Sequence, residues 1–162
     1  MAWMQLRPIG VIHTPFVRAP GTPIQSSQAD GAEGTVDLFP EFAQALRDLD
    51  GFDRIWLIYW FDRAAEPSLF VHPYLDDHPH GLFATRAPAR PNPIGMSPVR
   101  LLRVESCRLH VADVDMLDST PLLDIKPYVP AFDHLPADRI GWLEGKTPQL
   151  QQADRRFERG AP

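Results

Sequence analysis

Residues 3–12 alternate imperfectly between apolar and polar side chains and close on Ile9-Gly10-Val11-Ile12, which predicts a first strand. Residues 35–39 form a second short run of the same kind. After it the period changes. Pro40 suits the first position of a helix, Phe42, Ala45, Leu46 and Leu49 fall on one helical stripe, and Gly51 suits its end. This is the one helix the pattern supports. Residues 55–61 are apolar almost without a break and rich in aromatic and β-branched side chains, as expected of a central strand buried on both faces. Residues 82–85 are strand-like, and 99–104, 108–116 and 122–129 read as three more strands, divided by turn signals at Ser106 and at Ser119-Thr120-Pro121. Two long proline-bearing loops, 15–34 and 64–81, separate these elements.

Many short strands, dense turns and one short helix predict an all-β, mainly antiparallel domain, a small barrel or sandwich with long loops. The chain holds 18 prolines in 162 residues, roughly twice the usual ~5%, which rules out a helical bundle. Its length favours one domain, assigned to 1–135. Residues 136–162 carry few apolar positions and read as a tail packing on the barrel or on a partner subunit. A net charge of −5 argues against nucleic-acid binding by overall field, though not against a local basic patch. A single cysteine, Cys107, forbids an intrachain disulfide and fits a reducing compartment. With no apolar run near the ~20 residues that span a bilayer and no signal-peptide pattern, the expectation is a cytoplasmic protein without membrane contact.

Two segments carry candidate chemistry. In the first, Pro88, Pro91 and Pro93 restrict the backbone and hold Arg86, Arg90 and Asn92 in set positions. Arginine presents a planar fork suited to carboxylate or phosphate, and asparagine presents both donor and acceptor. In the second, Asp115 and Asp118 suit a cationic ligand, while Asp124, Lys126 and Tyr128 share one face if the chain is extended there. The run from His72 to His80 contains metal-type ligands but no spacing that fixes a site, and no metal is assigned. Residues 141–147 imitate a phosphate-binding loop with the wrong glycine spacing, and neither a dinucleotide fingerprint nor a nucleophile elbow is present.

The stretches Phe83-Ala84-Thr85-Arg86, Arg90-Pro91-Asn92-Pro93-Ile94-Gly95, Asp115-Met116-Leu117-Asp118 and Thr120-Pro121-Leu122-Leu123-Asp124-Ile125-Lys126-Pro127-Tyr128 resemble the TsaA-like (TrmO) family. Ile9-Gly10-Val11-Ile12, Pro23-Ile24-Gln25 and Gly51-Phe52 add to the match, which covers roughly residues 6–133. The resemblance implies a β-barrel that binds S-adenosylmethionine outside the Rossmann-like fold, and a homodimer with the cofactor near the subunit interface. It further implies N-methylation of threonylcarbamoyl-adenosine beside the tRNA anticodon. Carried over by position, the implied cofactor contacts are Pro23, Ile24, Gln25, Asp62, Arg63, Arg86, Met96, Asp115, Met116, Leu117 and Asp118. Asp62-Arg63 stands where bacterial members carry His-Gln. Arg86, Arg90 and Asn92 are expected to position the modified base or its carboxylate, with Lys126 and Tyr128 lining the same pocket.

Residues 136–162 are expected to be too few for the second domain that the resemblance implies for bacterial members. Two other functions therefore stand beside tRNA methylation: methyl transfer to a smaller acceptor, and non-catalytic sensing of S-adenosylmethionine. For a tRNA enzyme, Arg18, Arg86, Arg90, Arg100, Arg103 and Arg108 should form one basic patch.

Overall fold

The computed structural model describes residues 4–146 and 152–160. It contains eight strands: β1 (Gly10–His13), β2 (Glu33–Leu38), β3 (Arg54–Trp60), β4 (Phe70–Val71), β5 (His80–Gly81), β6 (Ile94–Glu105), β7 (Arg108–Ala112) and β8 (Thr120–Pro127). Six of them close into an antiparallel barrel in the order β1-β2-β7-β6-β3-β8, while β4 and β5 form a separate two-stranded ladder. Closure leaves the barrel without free edges, and its inside is the hydrophobic core. Ile12, Val36, Ile55, Leu57, Val99, Leu109, Val111 and Leu122 are all fully buried there.

Strand β3 is central, paired to β6 and β8, but it is buried on one face only. Ile55, Leu57 and Tyr59 point inward, whereas Trp56, Ile58 and Trp60 lie on the outside of the barrel. The unbroken apolar run therefore reports an apolar outer surface. Trp60 there lies opposite Ile94, and Ile58 opposite Met96.

The segment 40–51 is helical but not an α-helix. It forms two 3-10 pieces, Pro40–Leu46 and Leu49–Gly51, separated by Asp48 at φ 66°. Aspartate is among the few residues that enter the left-handed region readily, and one such residue ends a helix. Leu46 is buried and Phe42 and Leu49 pack against the core, so the apolar stripe is used as its spacing suggests. Among the described residues the one α-helical turn is Pro130–Asp133, where the Asp133 carboxylate accepts the Val129 amide at 2.7 Å. Residues 82–85 are not a strand: Leu82–Ala84 is a 3-10 turn, closed by the Thr85 hydroxyl donating to the Leu82 carbonyl at 2.8 Å.

Strand β6 starts at Ile94, before Pro98 rather than after it. The Leu101 amide donates to the Asp53 carbonyl, so the two-residue period places Val99 and Ser97 in bonded positions toward β3. Pro98 therefore aims its nitrogen at the other edge, where β7 has already ended with Ala112 opposite Arg100. Strand β7 stops at Ala112 because Asp113 turns the chain at φ 69°.

The tail lies against the long loops of its own chain. The Ala153 amide donates to the Thr22 carbonyl at 2.7 Å, the Ala65 amide to the Phe157 carbonyl at 2.8 Å, and the Trp142 indole N–H to the Ala84 carbonyl at 2.8 Å. Phe157 packs on Val71, Leu82 and Ala87, a small second core outside the barrel.

Candidate active site

The site begins at Gly95. A Cβ there would fall 2.3 Å from Cε2 of Tyr59, so only glycine lets the tyrosine ring lie against β6. The buried Tyr59 hydroxyl then stands 3.0 Å from the Ser97 hydroxyl, and Ser97 donates to Oδ1 of Asp115 at 2.6 Å. Burial, and next the Asp115 charge, push the Tyr59 phenol far above its usual range, so it stays protonated and serves as a donor. Burial pushes the Asp115 carboxyl up to about 6, against the Ser97 hydroxyl, the backbone N–H groups of Asp115 and Ser26, and the charge of Arg86. A carboxylate enclosed in this way is poised to meet a cation or to exchange a proton near neutral pH.

Around Asp115 the loops meet. Nη1 of Arg86 donates to Oε1 of Gln25 at 2.8 Å, tying the first long loop to the proline-rich segment. Pro23 and Ile24 precede Gln25, half-buried, and Pro23 bridges to Gln152 of the tail. Asp118 sits on the adjoining turn. Desolvation raises its pKa, but the Ser119 hydroxyl, the Thr14 amide and His13 outweigh that and hold it below the usual range. Nη2 of Arg63 donates to the Asp118 carbonyl at 2.6 Å. Nε of Arg63 is buried without a hydrogen-bond partner, 3.5 Å from Asp62 but outside bonding geometry. Gln25, Arg86 and Asp115 are thus drawn together, while Arg63 and Asp118 meet on the adjoining turn, where the Asp118 carboxylate is held by Thr14, His13 and Ser119.

Other candidates are placed differently. Met116 is core, 2% exposed, so it cannot face a ligand with its side chain; Leu117 beside it is half-buried. Arg90 turns back on its own loop, donating to the carbonyls of Thr85 at 3.0 Å and Ala87 at 3.2 Å. Asn92 is exposed, at the tip of the segment. Met96 and Lys126 lie on the outer face of the barrel, Met96 opposite Ile58 and Lys126 opposite Trp56, with Lys126 paired to Asp124 at 2.9 Å. Tyr128 leans on Trp56 and borders an open groove of about 540 Å³ that also takes in Ser26, Arg54, Arg100 and Asp113.

The six arginines do not build one patch. Arg100 pairs with Asp113, Arg103 with Glu105 and Arg108 with Asp37. In the histidine-rich loop, Asp76 accepts from His78 and His80 and is ion-paired to Lys146, so it anchors the tail. Among the described residues, no group of three or more His, Cys, Asp or Glu is arranged to hold a metal, and no helix is long and apolar enough to cross a membrane.

The profile of the tRNA-methyltransferase O N-terminal domain matches residues 11–134, the barrel and the site on it. The chain belongs to this family. Within the TrmO family it is 55% identical to a probable S-adenosyl-L-methionine-binding protein of Pyrococcus abyssi, over 93% of this chain and 83% of the relative. It is 35% identical to the tRNA (adenine(37)-N6)-methyltransferase of Escherichia coli, over 84% of this chain and 62% of that protein. A crystal structure of TrmO from Pseudomonas aeruginosa superposes with a TM-score of 0.76 at 39% identity, over 91% of this chain and 66% of that one. The chain therefore spans somewhat under two thirds of the length of these two methyltransferases.

Tyr59, Ser97, Ser26 and His13 were not among the residues singled out from the sequence. For Ser97 a signal exists: it is a polar side chain on the inward phase of β6, between Gly95 and Val99. A buried hydroxyl in an apolar row needs a partner, and its partners are the site.

Proposed function

We propose that this TrmO-family chain is an S-adenosylmethionine-dependent methyltransferase acting on the threonylcarbamoyl-adenosine of tRNA, working in the cytoplasm as a homodimer. The observation that carries the reading is the enclosed Asp115 carboxylate, held by Ser97 where Gln25 and Arg86 join the two long loops. The donor set fits the cofactor. Asp115 and Asp118 supply negative charge for a sulfonium or an α-amino group, and the unpartnered Nε of Arg63 and the Gln25 amide supply polar contacts. When bound, S-adenosylmethionine supplies an electrophilic methyl group to the acceptor nitrogen, which gives up its proton.

The work of this chain is to align and to shield. Orientation of two reactants accounts for a large share of such a rate enhancement, about 7–11 kcal/mol in well-oriented systems. The rigid prolines 88, 91 and 93 hold Arg86 and Asn92 for that purpose, and Asn92 is proposed to orient the acceptor. Arg90 is assigned the role of bracing the loop, and Lys126 and Tyr128 that of bordering the acceptor from the outer face. Dimerisation is supported by the exposed apolar row of Trp60 (43%), Ile94 (38%) and Met96 (60%), a contiguous patch of the kind that marks an interface. Such an interface would bring Met96 to the cofactor.

A second reading, a smaller methyl acceptor, is favoured by one observation: the arginines of β6 and β7 are matched to carboxylates and do not present a broad field to nucleic acid. The deciding experiment is transfer of labelled methyl groups from S-adenosylmethionine to tRNA containing threonylcarbamoyl-adenosine, with unmodified tRNA as control. Label in the modified tRNA alone is expected. Its absence, with cofactor binding confirmed in the same sample, would refute tRNA methylation and direct the search to small acceptors or to a sensor.

A further inference from the structure

We propose that Phe83, backed by the guanidinium of Arg90, is a stacking platform for an unpaired RNA base flanking the methylated nucleotide. This rests on the tRNA reading above and assigns a further contact to it. Phe83 is 80% exposed, at the middle of the 3-10 turn Leu82–Ala84, three residues before Arg86. The Arg90 guanidinium carbon lies 5.8 Å from the centre of its ring. Arg90 is itself fixed by its bonds to the Thr85 and Ala87 carbonyls, so one face of the ring rests on an immobile cation while the ring remains largely in solvent.

Charge separates this corner from the arginines of β6 and β7. Arg100, Arg103 and Arg108 each meet a carboxylate. Arg86 and Arg90 instead hydrogen-bond neutral acceptors, the Gln25 amide oxygen and backbone carbonyls, and Arg90, which has no carboxylate partner among the described residues, keeps its charge for an outside anion. Asp115 feels Arg86 electrostatically but is hydrogen-bonded to Ser97. An exposed aromatic ring backed by a guanidinium that has no carboxylate partner is the combination that takes a base and its phosphate.

The platform is also stiff. Pro88 and Pro91 restrict the loop from one side, and the Trp142 indole bonds the Ala84 carbonyl, bracing the turn from the tail. Little order remains to be imposed when a base stacks. Leu69 and Phe70, each 70% exposed, lie on the neighbouring segment, the Leu82 amide donating to the Leu69 carbonyl. They extend the apolar surface on which a splayed loop would rest.

The test is binding of the full chain to a fluorescent anticodon stem-loop in fixed, stated salt, with Phe83→Ala, Phe83→Tyr and Leu102→Ala compared to the parent. Loss of one base–aromatic stack is expected to weaken binding of Phe83→Ala roughly tenfold. Phe83→Tyr and the distant Leu102→Ala should stay within roughly twofold, and S-adenosylmethionine affinity should be unchanged in all. In Phe83→Trp the indole emission should be quenched as RNA is added. Unchanged RNA affinity in Phe83→Ala, or a change only in oligomeric state, would overturn the platform, as would a parent chain that binds no RNA. Stacking-dependent RNA binding without methyl transfer would instead sustain the platform and refute the proposed reaction.

Discussion

Replacing Asp115 by asparagine should stabilise the protein at high pH and leave it unimproved at low pH. Asp115 is enclosed, with Oδ1 on Ser97, and its pKa is raised from 3.8 to about 6, chiefly by burial. A group whose pKa is higher in the folded state binds more protons there than when unfolded. Unfolding free energy therefore falls as pH rises from about 4 to about 6, and no further loss from this group occurs above that. Two units at 1.36 kcal/mol each give at most about 3 kcal/mol, less where solvent reaches the half-buried residue. Asparagine keeps an acceptor for Ser97 and carries no charge, so the variant lacks this penalty. Urea denaturation of parent and variant at pH 4, 5, 6, 7 and 8 isolates the term, because every other titrating group cancels in the difference. The variant's relative stability should climb by about 2–3 kcal/mol between pH 4 and pH 7 and then level off. A difference that is flat across the range would show that Asp115 is not desolvated, and the geometry assigned to the site would fail with it. The same variant should bind S-adenosylmethionine more weakly, a loss of function gained with stability.

Ser97→Ala removes a hydrogen bond that lowers the Asp115 pKa, so the upper end of the same pH window should move above about 6 in the urea series. Gly95→Ala places a methyl 2.3 Å from the Tyr59 ring and should destabilise by about 1–3 kcal/mol, with the near-ultraviolet tyrosine signal altered. Leu57→Ala opens a cavity at a fully buried core position and should cost about 2–5 kcal/mol in the same denaturation assay. Asn92→Ala alters an exposed residue, so melting temperature and cofactor affinity should hold while methyl transfer is lost; lost cofactor binding would remove Asn92 from the acceptor side.

Where the chain alternates cleanly, as at β2 and β7, the period of two leads to inward Val36, Leu109 and Val111, and the turn at Ser106 is real, with φ 54°. The ends were less legible: the first strand, read over 3–12 from an imperfect alternation, is Gly10–His13, and those read over 108–116 and 122–129 are Arg108–Ala112 and Thr120–Pro127. The period failed where two physical causes give one pattern. An apolar run at β3 arises equally from a strand covered on both faces and from a barrel strand with an apolar outside, and periodicity cannot separate them. The stripe at 42, 45, 46 and 49 fits a 3-10 segment as well as an α-helix, since both bring every third residue near one side. The strand expected over 99–104 in fact starts before Pro98, because the edge on which the missing N–H falls is a fact of pairing, not of local sequence.

The site divides along the same line. The proline-restricted segment of Arg86 and Asn92 and the Asp115–Asp118 turn stood out in the sequence as candidates, and the structure sets Arg86 against Gln25 and Asp115 against Ser97. What was not legible is which side chains those residues spend on the fold. Arg90 and Arg86 look equivalent in sequence, yet one braces its own loop through two carbonyls and the other crosses to Gln25. Arg100, Arg103 and Arg108 looked like recruits to a basic patch, but antiparallel pairing sets Arg108 beside Asp37 and a short return to Asp113 brings Arg100 its partner. The surface potential is therefore a product of topology: the barrel neutralises the arginines it carries on its strands, and the proline-rich loop keeps its own uncompensated by any carboxylate hydrogen bond. That loop also bears Asn92, and its Arg86 lies close enough to Asp115 to act on its charge.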